Sequence, residues 1–223
     1  MSLLSILSFQ LDAQDWANLK LYQSENAALK APAKFEKRVV FIGNSITQGW
    51  KEAHPDFFST NPYICRGISG QTTPQMLIRF RQDVIALQPK VVVILAGTND
   101  IAGNTGPSTL EMIMDNLSSM TELANANGIS VVLCSVLPAY DYPWRPGLEP
   151  NIKIPKLNEM IKSYCEKTHT FYLNFFSAMA DEKNGMKAEL TKDGVHCTPE
   201  GYKVMESMVN PAIEKALKTK IRK

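Results

Sequence analysis

The sequence predicts an α/β protein, a three-layer α/β/α sandwich built on a five-stranded parallel sheet. Three features of the 223-residue chain point there. Val91 to Ala96 is an uninterrupted, β-branched apolar run, the pattern of a central strand buried on both faces. Apolar runs of strand length alternate with amphipathic helical stretches, an order that puts one parallel sheet between two layers of helices. The first three strands end in Gly43-Asn44-Ser45, Gly67 and Gly97-Thr98-Asn99, glycine and polar residues that one sheet edge would collect.

The elements follow in order. Asp15 is placed to cap a lead-in helix through Trp16, Leu19 and Ala27 that stops before Pro32. Val39 to Ile42 is the first strand, Gly43 ends it, and a loop rich in bulky residues runs from Trp50 through Phe57 and Phe58 to Pro62. Tyr63 to Arg66 is the second strand, closed by Gly67. Thr73-Pro74 opens a helix with a capping hydroxyl and an early proline, and Met76, Leu77, Phe80 and Val84 form its stripe until Pro89. After the Val91 strand, Ser108 and Glu111 read as a capping box for a helix that Asn127-Gly128 ends. Ile129 to Val136 is the fourth strand and Thr170 to Asn174 the fifth, with a helix around Leu157, Ile161 and Tyr164 between them. Thr198-Pro199 starts the last helix, whose apolar face is Tyr202, Met205, Val209, Ile213 and Leu217.

With 44% hydrophobic residues the chain can bury one sizeable core, so the expected organisation is an arm and lead-in helix over 1–35 and one domain over 36–223. A net charge of +2 without a basic run gives no footprint for nucleic acid. Cys65, Cys134, Cys165 and Cys197 show no C-x-x-C pairing and read as free thiols, a disulfide being the alternative. Met1 to Leu11 is apolar yet too short to span a bilayer. It reads either as the hydrophobic part of a secretory signal, placing the protein in the periplasm or outside the cell, or as an N-terminal arm.

In an open α/β sheet, ligands sit beyond the carboxyl ends of the strands. Ser45 arrives there as a candidate nucleophile. Its own N–H, the N–H of Gly67 and the amide of Asn99 are suitable donors for an oxyanion. A serine needs a base, and His196, oriented by Asp193 three residues earlier, can serve. His169 precedes the fifth strand and so belongs to the other end of the sheet; His54 has only Asp56 as a nearby carboxylate. Taken singly, a strand-end serine is a helix cap and an Asp-Gly-x-His a loop; the joint placement at one edge carries the functional reading.

These residues resemble the SGNH, or GDSL, esterase/lipase family, nearest to its platelet-activating-factor acetylhydrolase-like and carbohydrate-esterase members. Gly43-Asn44-Ser45-Ile46-Thr47 is similar to the nucleophile motif, Gly67 to the glycine, Gly97-Thr98-Asn99-Asp100 to the asparagine motif and Asp193-Gly194-Val195-His196 to the Asp/His motif. The resemblance implies the flavodoxin-like SGNH fold, a Ser45–His196–Asp193 triad, an oxyanion hole from Ser45, Gly67 and Asn99, no cofactor, and ester hydrolysis. Two positions depart from it: Asn44 stands where Asp is usual, and Cys197 follows the histidine where proline is common. Gly43 to Thr47 lacks the second glycine of a G-x-S-x-G elbow, and no phosphate loop, dinucleotide fingerprint or metal cluster is present in the pattern.

Substrate contact is expected from Asn44, from Trp50, and from Tyr140, Tyr142, Trp144 and Arg145 in the loop after the fourth strand. Aromatic rings beside polar groups suit sugar faces, and Arg145 suits a carboxylate or phosphate. The expected activity is removal of small acyl groups, O-acetyl above all, from a carbohydrate. A lipid acylhydrolase or thioesterase with the same triad, and a flavodoxin-like mononucleotide-binding module, are the alternatives. Oligomeric state is not legible.

Overall fold

The computed structural model describes residues 15–219, and the apolar Met1–Leu11 stretch lies outside them. Five strands, β1 (Val39–Gly43), β2 (Tyr63–Gly67), β3 (Val91–Leu95), β4 (Ser130–Cys134) and β5 (Phe171–Leu173), form one sheet in the order β2-β1-β3-β4-β5. Every pairing is parallel. The strand order reverses at β1, with β2 on one side and β3 on the other, so the crevice at the carboxyl ends opens beside β1.

Alternate residues of the central strands feed two cores. Val40, Ile42, Val92 and Ile94 pack with Met76, Phe80, Ile113, Leu117, Leu157 and Ile161, which belong to α4 (Thr73–Asp83), α6 (Leu110–Ala126) and α7 (Pro150–Thr168). Val39, Phe41, Val91 and Val93 pack on the other face with residues of α2 (Ser45–Ala53), α8 (Phe175–Met179) and α9 (Pro199–Lys218). Burial on both faces explains why these strands read as continuous apolar runs rather than alternating ones. The four cysteines are free and buried.

Several local expectations shift. The lead-in helix shrinks to α1 (Gln23–Ala28), because Asp15 spends both carboxylate oxygens on the N–H groups of Leu19 and Lys20 in a tighter turn. The bulky stretch after Ser45 is not a loop. It forms α2 and then α3 (Pro55–Ser59), with Phe57, Phe58 and Trp50 clustered on Phe41 at 5.3–6.0 Å between ring centroids. The cap of α4 is Thr72, paired with Gln75, and that of α6 is Thr109 rather than Ser108. Thr73, freed from capping, donates its hydroxyl to Asp100 at 2.6 Å. No helix among the described residues is long and apolar enough to cross a membrane.

Candidate active site

Ser45 is the first residue of α2, two residues past Gly43, the last residue of the buried strand β1. Asn44 caps this helix, its Oδ1 accepting the Ile46 N–H at 3.0 Å, and is itself 1% exposed. The expected substrate contact by Asn44 therefore gives way to a capping role that asparagine fills as well as aspartate. Gly43 is required by its neighbours: a Cβ there would lie 2.1 Å from the Thr47 hydroxyl and 2.8 Å from the Leu95 carbonyl.

His196 comes from the loop before α9. Its Nε2 lies 3.0 Å from Ser45 Oγ, and its Nδ1 lies 2.7 Å from Asp193 Oδ2. The loop is held by Asp193 Oδ1, which accepts the N–H groups of Val195 and His196, and by Thr191 Oγ1, which donates to the His196 carbonyl. Burial alone would raise the Asp193 pKa, but these hydrogen bonds from His196 and Val195 outweigh it and hold the carboxyl below its ordinary value. The other histidines lie elsewhere. His54 ends α2 at the opposite end from Ser45 and pairs with Glu206 at 2.7 Å, while His169 ends α7 just before β5.

Gly67 is not where the sequence suggested an oxyanion donor would be. It is the last paired residue of β2, in register with Gly43, and the next residue, Ile68, donates to the Gly43 carbonyl. In a parallel ladder that pattern turns the N–H and C=O of Gly67 away from β1, and the carbonyl accepts the Tyr22 hydroxyl at 2.5 Å. Its lack of a side chain has a packing cause, since a Cβ would meet Gln48 N at 2.3 Å and the Asn44 carbonyl at 2.9 Å. Three residues on, past the carboxyl end of β2, Gly70 lies in the exposed turn closed by the Gln71 N–H on the Ile68 carbonyl. Its φ of +77 requires glycine and its Cβ position is open space. Ser69-Gly70 signals a turn after β2, but not which of the two glycines has its N–H clear of the ladder.

Asn99 lies in α5 (Thr98–Ile101), 4% exposed, and its Nδ2 donates to the Gln71 carbonyl at 3.0 Å, next to Gly70. Asn104 ties the same turn from the other side, its Nδ2 on the Gly70 carbonyl. Beneath them Arg79 is fully buried and donates to Gln71 Oε1, Asp83 Oδ2 and the Gly43 carbonyl at 2.6–3.1 Å. One guanidinium thus joins the turn that carries Gly70 to the strand end that carries Ser45, a role the helical pattern of α4 did not announce.

The aromatic expectations divide. Trp50 is 1% exposed, stacked on Phe57 and Tyr202, with its indole N–H on Glu206, and does not reach the crevice. Tyr142 is fully buried, its hydroxyl engaged with Thr98. Trp144 stacks on Tyr142 at 5.2 Å and faces His196 at 6.1 Å between centroids, with 46% of its surface exposed. Tyr140 is exposed on the same loop. Arg145 is partly committed: its Nη1 donates to the Ala102 and Gly103 carbonyls, pinning the loop after β4 to the loop after α5.

Residues 41–204 match the GDSL-like lipase/acylhydrolase family. The chain belongs to that family. It is accordingly an ester hydrolase with the SGNH fold. A GDSL-like lipase of Bacteroides thetaiotaomicron VPI-5482 superposes with a TM-score of 0.88 at 52% identity, over 90% of this chain and 98% of that one. A Bacteroides fragilis NCTC 9343 protein assigned as an acylhydrolase superposes with a TM-score of 0.90 at 48% identity, over 92% and 100%. The acetyl xylan esterase AlAXEase shares the fold, with a TM-score of 0.65 at 19% identity over 78% of this chain and 98% of that one. The uncharacterised lipoprotein YqeF of Bacillus subtilis strain 168 is 35% identical over 75 residues, a stretch that covers 32% of this chain and 31% of that protein.

Proposed function

We propose that this GDSL-family protein is a serine esterase that removes small acyl groups, O-acetyl above all, from carbohydrate. The observation that carries the catalytic part is the relay Ser45 Oγ to His196 Nε2 at 3.0 Å and His196 Nδ1 to Asp193 Oδ2 at 2.7 Å. Ser45 attacks the ester carbonyl while His196 takes its proton; His196 then gives that proton to the departing sugar oxygen, which leaves as the hydroxyl, and water releases the acyl group by the same relay. Asp193 holds the imidazole so that Nε2 is the acceptor. The oxyanion is received by the N–H groups of Ser45 and Gly70 and by the Asn99 amide, with Gly70 in the role the sequence reading gave to Gly67.

Two features support a short acyl group and a sugar. The chain shares its fold with the acetyl xylan esterase AlAXEase. Trp144 sets an exposed ring beside His196, a suitable face for the apolar side of a pyranose. Tyr140, exposed on the same loop, is the second candidate for such contact. Ser45→Ala should abolish hydrolysis of p-nitrophenyl acetate and of acetylated sugars while the protein stays folded; retained turnover rejects the mechanism. A preference of the wild type for long-chain p-nitrophenyl esters would reject the short-acyl reading in favour of a lipid acylhydrolase or thioesterase. Export is the accompanying proposal, supported by the apolar Met1–Leu11 stretch and the similarity to a lipoprotein. An intact Met1 on protein from its native host would contradict signal cleavage.

A further inference from the structure

Beside the Gly70 turn lies a polar cavity of about 310 Å3 that neither Ser45 nor His196 lines. Ser69, Gly70 and Asn104 form its near wall, and Asp15, Trp16 and Asn18 its far wall. The far wall belongs to a stretch that adds little to the core, for between Asp15 and Tyr22 only Ala17 and Tyr22 are buried. The stretch is nonetheless held firmly. Gln75, Gln71 and Gln82 donate side-chain amides to the carbonyls of Trp16, Ala17 and Leu19 at 2.6–2.7 Å. Fixed in this way, Trp16 keeps 45% of its surface in solvent.

Three residues around the cavity offer neutral polar groups that are available. The Asn18 amide and the Ser69 hydroxyl have no hydrogen-bond partner among the described residues, and Asn104 uses its Nδ2 on Gly70 while its Oδ1 stays unengaged. Asp15, the one charged group there, already accepts two backbone N–H groups. An acyl chain in this space would strip water from these donors and acceptors without replacing it. A sugar ring offers an apolar face to an indole and a ring of hydroxyls to amides.

We propose that this cavity is a subsite for a neutral sugar ring adjoining the acylated one, so that the substrate is an acylated oligosaccharide. The inference rests on the carbohydrate-esterase reading, in which the acylated ring sits at Ser45, His196 and Trp144 and the Gly70 N–H, at the cavity's edge, receives the oxyanion. It adds Trp16 and Asn18 as specificity-determining residues.

The test compares acetylated xylo-, manno- and chito-oligosaccharides with the matching acetylated methyl monosaccharides and with p-nitrophenyl acetate. Trp16→Ala should raise KM for at least one oligosaccharide by about five- to tenfold, leaving kcat and the two small substrates unchanged, and Trp16→Phe should restore most of the loss. Unchanged KM for every oligosaccharide, or an equal fall with p-nitrophenyl acetate, overturns the proposal. Calorimetric binding of the unacetylated oligosaccharides to Ser45→Ala protein, with and without Trp16→Ala, reads the subsite without catalysis. Binding weakened by Trp16→Ala supports the subsite even if Ser45 proves dispensable, and binding that ignores Trp16 rejects it even if Ser45 is essential.

Discussion

Asp193 holds His196 by two separate atoms: Oδ2 lies 2.7 Å from Nδ1 of the ring, and Oδ1 accepts the backbone N–H of the same residue at 2.8 Å. The carboxylate therefore sets both the position of the histidine backbone and the tautomer of its ring. Asp193→Asn separates the two effects. An amide oxygen can keep the Val195 and His196 N–H groups, but an NH2 facing Nδ1 forces the proton onto Nε2, which then cannot accept from Ser45. The expected result is a fall in kcat of about 10³- to 10⁴-fold with a nearly unchanged melting temperature. Activity on p-nitrophenyl acetate within tenfold of wild type would remove Asp193 from the mechanism.

Asp100 makes stability depend on pH. Burial raises its pKa to about 6 from an ordinary 3.8, although the hydroxyl and N–H of Thr73 both donate to it and pull the other way. Between those two values the folded state holds a proton that the unfolded chain has released, so stability falls as pH rises through that window and is level above it. The full effect is on the order of 3 kcal/mol. Asp100→Asn is neutral throughout and should lose this fall, so the difference in urea midpoint between wild type and variant should change from pH 4 to pH 6.5. Parallel curves over that range would show that Asp100 does not titrate as its surroundings dictate.

What the sequence made legible follows from how local each signal is. β3 and the nucleophile turn are announced by contiguous residues, and the Asp193-to-His196 spacing lies within one loop, so all three could be read directly. The choice between Gly67 and Gly70 could not. It depends on which N–H groups the ladder with β1 turns outward, and on the close approach of Gln48 to Gly67, both properties of pairing between distant segments. Arg79 was invisible for the same reason: its partners Gln71, Asp83 and the Gly43 carbonyl meet only in the folded chain. Trp50 and Tyr142 were misplaced because an aromatic residue in an apparent loop has the same local pattern whether it lines a crevice or closes a core.

For Trp50 that choice is decided by Glu206, whose Oε1 accepts the indole N–H at 3.0 Å and sits 2.7 Å from Nδ1 of His54. Trp50 lies in the far half of α2 and His54 caps its end, about 8 and 13 Å from Ser45 along the helix axis at 1.5 Å per residue. Glu206→Ala leaves a buried indole N–H without an acceptor, at a cost of about 1–3 kcal/mol. In a chain of this size that corresponds to a melting temperature lower by about 3–10 °C. Glu206→Gln keeps an acceptor for the indole and should recover much of the loss. Turnover per folded molecule, with active sites counted by a burst of an irreversible acylating reagent, should stay within about twofold of wild type in both variants, since the cluster braces α2 without touching Ser45 or His196. A variant that melts like wild type yet turns over slowly would return Trp50 to the active site and place Glu206 beside it.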